Sequence, residues 1–262
     1  MQTKCTESHR HYLCHIKTHK KIVTLARIMI CVVFIALWEI TTRTGLIDSF
    51  IFSSPSRLVK CFIELNKDGF IYRHIWVTVY ETLICFAVVI LVSMTIAIIM
   101  WRFLTVYEVL EPYLVLLNSL PKSALAPVLI VWLGNNTKTI IVAAVSVAVF
   151  GAILSIYTGF MEIDKEKIKL IKTLGGNRWH ILFKLVIPGS LPTIVNTMKV
   201  NLGLSLVGVI IGEFLAAREG LGYLIIYGSQ VFKMDWVLLS IVILCLLSVL
   251  LYRLIRFIEK KI

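Results

Sequence analysis

Six predominantly apolar stretches of this chain, at about 22–41, 76–100, 109–133, 138–160, 193–216 and 236–252, run for 17 to 25 residues, and several of them lack a polar face altogether. An α-helix needs about 20 apolar residues to cross the ~30 Å hydrocarbon core of a bilayer. In that medium every backbone N–H and C=O must be satisfied within the segment, which leaves helices or closed barrels. Runs this long and this apolar dictate an all-α polytopic membrane protein with about six transmembrane helices. Hydrophobic residues make up 58% of the 262, too many for the surface of an ordinary soluble domain. The first span is long for a signal-peptide core, and no small-residue cleavage site follows it, so it reads as a retained helix.

The formal charge of +12 does not point to nucleic acid, because Lys and Arg sit in tails and loops with no basic stripe interleaved with aromatics. They report orientation instead. The amino tail, the 101–112 loop, the 162–187 loop and the carboxyl tail hold 16 of the 27, against 8 on the opposite side, with Arg27, Lys122 and Lys199 inside spans. The positive-inside bias therefore places both tails and the 162–192 segment in the cytoplasm. Residues 1–21 form a basic cytoplasmic tail and 22–262 the membrane domain. His11, His15 and His19 of the tail would share a helix face, a spacing that can hold a metal. The plainer reading is a solvated, positively charged leader, and no metal is expected. Six scattered cysteines lack any C-x-x-C spacing and form no disulfide framework.

One long charged stretch interrupts the apolar pattern, 162–192, EIDKEKIKLIKTLGGNRWHILFKLVIPGSLP. A charged helix-prone half ends at Gly175-Gly176, and an amphipathic half runs on to Pro188. Two helices joined by a glycine turn make a protrusion at the membrane surface that a partner can grip. Elsewhere, Ser53-Ser54-Pro55-Ser56 is a helix-start signal, followed by an amphipathic stretch expected to lie on the membrane face. Glu81 is expected at an interface, short of full burial. The third span is expected to be broken by Pro121 and Pro127, and it carries Asn118, Ser119, Lys122 and Ser123. A lysine and a helix break at membrane depth are tolerated where they face protein or a water-filled cavity. That makes Asn118, Pro121, Lys122 and Ser123 candidates for a translocation pathway, together with Asn201, Ser205 and Glu213 of the fifth span. The plainer alternative for Lys122 is snorkelling beside a kink. The segment after Glu213 is expected to dip to the surface or back into the membrane.

The sequence carries no phosphate loop, no H-E-x-x-H and no G-x-S-x-G, and no His or Cys cluster at membrane depth. A transport subunit without catalytic residues fits this pattern, with any energy source on another chain and no cofactor bound here. The alternatives are a secondary carrier or channel without an ATPase, which would show inverted halves with matching broken helices, and a structural or sensory membrane subunit.

The central stretch resembles the signature loop of permease subunits of ATP-binding-cassette importers, E-A-A, three residues, Gly, nine residues, then I-x-L-P. Gly175 takes the glycine, Pro188 the proline thirteen residues later, and Leu185 and Ile187 the apolar positions before it. The Glu-Ala-Ala positions fall on Lys169, Leu170 and Ile171, so the acidic residue is missing, with Glu166 about a turn earlier. Ser54-Pro55-Ser56, LPKSALAPVLIVWLG at 120–134, LVIPGSLP at 185–192 and GEFLAAREGLGYLI at 212–225 are similar to the subfamily importing nitrate, sulfonates, taurine and related solutes. Relatives usually carry a basic residue where Glu81 stands. The resemblance covers about residues 50–258. It implies a type I importer-like fold in the cytoplasmic membrane of a prokaryote. It also implies a coupling helix around 164–178 seated on a cytoplasmic ATPase, with Glu166, Lys169, Leu170, Lys172, Thr173, Leu174, Gly175, Arg178 and Pro188 as coupling residues. The implied partners are ATPase subunits that bind the ATP, a second permease copy, and an extracellular binding protein docking on the outer loops.

Overall fold

The computed structural model describes the backbone of residues 2–67 and 69–259, and the side chains of 22–67 and 69–259 apart from 123, 126 and 258. The side chains of His11, His15 and His19, and that of Ser123, lie outside the described residues. All regular structure among the described residues is helical. The chain divides into two compact units, 1–63 and 64–262.

In the first unit, α1 (Gln2–Arg43) runs as one helix through the expected boundary between tail and span. The short α2 (Ser49–Phe52) follows, capped by Asp48, whose Oδ1 accepts the Phe50 N–H at 2.8 Å. Then α3 (Pro55–Lys67) begins with Pro55 in its first turn, where a missing N–H costs nothing. The Ser54 hydroxyl accepts the Arg57 N–H, and Glu39 accepts both the N–H and the hydroxyl of Ser56, so α1 fixes where α3 starts.

The second unit is built on α4 (Phe70–Arg102), α7 (Thr137–Met161) and α11 (Leu191–Ala216), three long helices packed on one another. Small residues make the close approach possible. A Cβ on Gly208 would stand 2.8 Å from Ala144 Cα, and one on Gly212 would stand 2.9 Å from Ile140 Cγ2. Lipid tails are as apolar as leucine, so membrane helices associate through close backbone packing of this kind. Ala144, Ala148, Ile153, Ile156 and Phe160 of α7 lie at the centre of the core.

Between α4 and α7 the expected third span is two helices, α5 (Leu104–Ser119) and α6 (Lys122–Leu133). Only Pro121 breaks it. The ring of a proline forces the preceding residue out of the helical region, and Leu120 is extended at φ −64°, ψ 141°. Pro127 lies within α6 without ending it, which corrects the expectation of a double break. At 1.5 Å per residue, 16 and 12 residues reach about 24 and 18 Å, each short of a bilayer core. Five helices among the described residues are long and apolar enough to cross: Ile22–Arg43, Phe70–Arg102, Thr137–Met161, Leu191–Ala216 and Met234–Phe257.

The charged segment becomes α8 (Lys165–Thr173), α9 (Arg178–Ile181), a π-helical turn (Leu182–Val186) and the short α10 (Ile187–Gly189), leading into α11. After α11 the chain forms α12 (Leu221–Gln230), packed on α13 (Met234–Glu259), α11 and α4. Phe70, His74, Tyr223, Tyr227 and Trp236 make a chain of ring contacts at this end, and the Lys233 ammonium sits 4.3 Å from the Trp236 ring centroid. Aromatic clusters with a nearby cation suit the headgroup level of a bilayer. Glu81 differs from expectation. It is 1% exposed, because the ends of α7 and α11 close over this face of α4.

Candidate functional site

The protrusion is assembled by local rules. Asp164 caps α8 by accepting the Glu166 N–H at 2.8 Å, Glu166 sits in the first turn and Lys172 in the last, matching the helix dipole. At the far end the Gly176 N–H reaches the Ile171 carbonyl at 2.9 Å and the Gly175 N–H that of Lys172 at 3.0 Å. This pair of bonds closes a Schellman cap. Both glycines are required, for different reasons. Gly175 has φ +79°, in the left-handed region. A Cβ on Gly176 would lie 2.5 Å from Ile171 Cγ2 and 2.8 Å from its carbonyl oxygen. The helix therefore ends at Thr173, shorter than the expected 164–178.

Asn177 then opens α9 with a capping box. Its side chain accepts the His180 N–H at 2.8 Å, and His180 Nδ1 accepts the Asn177 N–H. Downstream, the π-helical turn precedes Pro188, whose missing N–H forfeits a ladder bond, and the Ser190 hydroxyl donates to the Val186 carbonyl at 2.7 Å.

This loop is mounted rigidly. Ile181, Leu182 and Val186 are buried in the main core with Met100, Leu114 and Phe160, and Ile168 and Ile171 of α8 pack against the same core. Arg178 Nη1 donates to the Arg102 carbonyl at 3.2 Å, joining the loop to the last residue of α4. A cation at a helix C-terminus also satisfies the dipole there. The opposite face of α8 is open. Leu170 is 61% and Leu174 77% exposed, and the stacked pair Trp179–Phe183 is exposed beside them. Glu166, Lys169, Lys172, Thr173, Gly175, Arg178 and Pro188 are also exposed, so the loop presents apolar knobs inside a basic surround.

Of the pathway candidates, the structure gathers Asn118, Pro121 and Lys122 at the α5–α6 break. The Lys122 ammonium donates to the Asn118 carbonyl, satisfying an acceptor that the break frees. Asn118 also faces α7, where a Cβ on Gly151 would lie 3.4 Å from its Oδ1. Asn201, Ser205 and Glu213 sit elsewhere, on the buried face of α11. The Asn201 amide donates to the Thr197 carbonyl at 2.8 Å.

Glu213 has a distinct task. Three successive backbone N–H groups at the start of α12 each meet a side chain from another helix. Gly220 N–H donates to His74 Nδ1 at 2.9 Å, Leu221 N–H to Thr78 Oγ1 at 2.8 Å, and Gly222 N–H to Glu213 Oε2 at 2.6 Å. The Thr78 hydroxyl in turn donates to Glu213 Oε1 at 2.7 Å. The first N–H groups of any helix lack intrahelical partners; here α4 and α11 supply them from outside. The geometry explains the Gly-Leu-Gly sequence. Gly220 has φ +116°, and a Cβ there would overlap the Glu213 carboxyl at 2.4 Å. Arg73 pairs with Glu219 and holds the preceding loop. Reading the sequence alone missed this cap, although His74 and Thr78 at i, i+4 with a later acid before Gly-x-Gly are its signal.

Residues 89–262 match the family described as binding-protein-dependent transport system inner membrane component. Along most of its length the chain is similar to a probable ABC transporter permease protein of Haemophilus influenzae, 25% identical over 88% of this chain and 94% of the relative. A putative aliphatic sulfonates transport permease protein of Bacillus subtilis is 24% identical, over 87% of this chain and 83% of its own. The taurine transport system permease protein of Escherichia coli is 22% identical, over 87% and 85%. Among solved structures, an inward-facing form of the MetNI methionine ABC transporter superposes with a TM-score of 0.61 at 19% identity, covering 73% of this chain and 93% of that one. At that identity the likeness shows the fold.

Proposed function

Since this chain belongs to the family of binding-protein-dependent transport system inner membrane components, we propose that it lines one half of the pathway of an ATP-driven importer, with α8 as the coupling helix. The observation that carries this reading is the rigidly mounted protrusion with Leu170 and Leu174 exposed at its tip. Two exposed leucines ringed by lysines on a structured loop are costly for a free surface and suit a partner's cleft. The partner is a cytoplasmic ATPase, which holds the ATP. Its closure would push α8, and the buried residues 181–186 with the Arg178–Arg102 bond would pass that push to α4 and α7 as a rigid-body movement.

The charge asymmetry supports placing both termini and the protrusion in the cytoplasm. A second copy of the chain completes the pathway, with the break at Asn118, Pro121 and Lys122 facing it. An extracellular binding protein delivers a small solute, and the sulfonate and taurine relatives favour that class.

The test is co-purification of the solubilised chain with its ATPase, wild type against Gly175→Pro. Proline is held near φ −65° and lacks the N–H that bonds Lys172, so it cannot occupy a residue at φ +79°. Loss of co-purification in a variant that still inserts is the expected outcome. If wild type captures no ATPase under conditions that preserve related complexes, the importer reading fails and ion-coupled uptake becomes the assay to run.

A further inference from the structure

Two acids meet inside the helix packing where α4 and α7 begin and α11 ends. Glu81 of α4 and Glu213 of α11 are each 1% exposed. The Glu213 carboxyl accepts from two fixed donors, the Thr78 hydroxyl at Oε1 and the Gly222 N–H at Oε2. The Glu81 carboxyl has the Thr137 side chain and the Glu213 carboxyl as its hydrogen-bond neighbours. Thr137 can supply one hydrogen, and no donor among the described residues reaches Glu81 Oε2.

Ionised carboxyl groups only accept, so a hydrogen bond between two of them needs a proton that one of them carries. Like charges held this close and out of water do not both stay ionised. The hydrogen-bond pattern says which acid holds the proton. Both Glu213 oxygens face donors, as a carboxylate requires, whereas Glu81 has an oxygen to which nothing donates. The charged groups on the surrounding elements offer no other balance. Arg73 of α4 is paired with Glu219 of the loop before α12, and Arg218 of that loop and Lys138 of α7 are exposed. His74 Nδ1 accepts the Gly220 N–H, which holds that nitrogen unprotonated.

We propose that Glu81 and Glu213 share one proton, carried by Glu81 and donated to the Glu213 carboxylate, and that this proton is a pH-sensitive latch on the start of α12. While it is held, α4 steadies the carboxylate that caps α12 through the Gly222 N–H. Its loss sets two carboxylates face to face and drives Glu213 away from Gly222 and Thr78. A cavity of about 280 Å³, lined by Glu81, Thr137 and Arg218, gives water access to the pair. The latch involves neither ATPase nor solute, so it stands apart from the reading of the coupling protrusion.

The sign of the pH dependence follows. An unfolded glutamate gives up its proton at about pH 4.3, whereas the native pair keeps one above that pH. Stability therefore falls as pH rises, the folded-to-unfolded ratio dropping about tenfold per pH unit until the pair ionises. For a chain of this size that is about 3–5 °C of Tm per unit.

The test melts the full chain in detergent between about pH 7 and about pH 9, above the range in which histidine ordinarily titrates. Wild type is compared with Glu81→Gln, whose amide donates to Glu213 at every pH, and with Glu81→Leu, which cannot donate. Relative to Glu81→Gln, the wild-type Tm is expected to fall by about 3–5 °C per pH unit. Hydrogen exchange at residues 217–224, corrected for its intrinsic pH dependence, should quicken in wild type alone. Glu81→Leu should melt below Glu81→Gln throughout. Parallel profiles for wild type and Glu81→Gln, or a Glu81→Gln as unstable as Glu81→Leu, would overturn the proposal. If Glu81→Gln does not fold, infrared spectra of wild type bearing carboxyl-labelled glutamate decide. A protonated-carboxyl band at neutral pH supports the shared proton, and its absence refutes it.

Discussion

Glu213→Leu separates two roles for the single acid of α11. The substitution removes both acceptors at once, leaving the Gly222 N–H and the Thr78 hydroxyl without their partners in a buried site. Each buried group left unsatisfied costs about 1–3 kcal/mol, so the loss is roughly 2–6 kcal/mol. Glu213→Gln keeps one carbonyl oxygen and presents an N–H₂ to the other donor, so about half that loss is expected. For a chain of this size, roughly 2–4 °C per kcal/mol gives a fall in Tm of about 4–24 °C for the leucine variant and less for glutamine. The assay is the fraction of monodisperse protein remaining after heating in detergent, run beside solute uptake in vesicles reconstituted with the ATPase. Destabilisation graded Leu over Gln, with the α12 region opening first in hydrogen exchange, is the expected pattern. If both variants keep the wild-type Tm and protection while uptake is abolished, Glu213 acts on the solute and the helix-cap argument is wrong.

Three further outcomes follow from the same structure. Leu170→Ala with Leu174→Ala should leave stability within about 0.5 kcal/mol, because both side chains are exposed. Loss of roughly 2–3 kcal/mol of apolar burial against the ATPase should raise its Kd about 30–150-fold by surface plasmon resonance. Gly208→Val should destabilise by at least about 1–3 kcal/mol in a detergent melt, because even its Cβ would stand 2.8 Å from the Ala144 backbone. Arg178→Ala cuts the link to the Arg102 carbonyl while sparing the α8 tip, so ATPase binding should persist and uptake per ATP hydrolysed should fall; unchanged coupling would show that the buried residues 181–186 carry the movement alone.

Local chemistry and composition determined a good deal by themselves. Span length and apolarity dictate membrane helices whatever the tertiary arrangement, since hydrocarbon leaves the backbone no other partners. Gly175-Gly176 marks where α8 stops, and Ser54-Pro55 where α3 starts, because caps and prolines act within a few residues. Pro121 likewise announces the α5–α6 break through its neighbour's dihedrals. The ordered motifs were enough to indicate the family.

What only the tertiary structure decided depends on residues far apart in the chain. Glu81 is buried because two other helices cover it, and no local pattern reports that. Glu213 caps α12 together with His74 and Thr78, which lie 135 or more residues away. Lys122 bonds the end of the helix before it, which requires the break to exist first. Ile168 and Ile171 turn inward while Leu170 and Leu174 turn outward, although all four are equally apolar as letters. Burial and pairing belong to the packed assembly of helices; the sequence specifies them only through the full set of contacts that forms it.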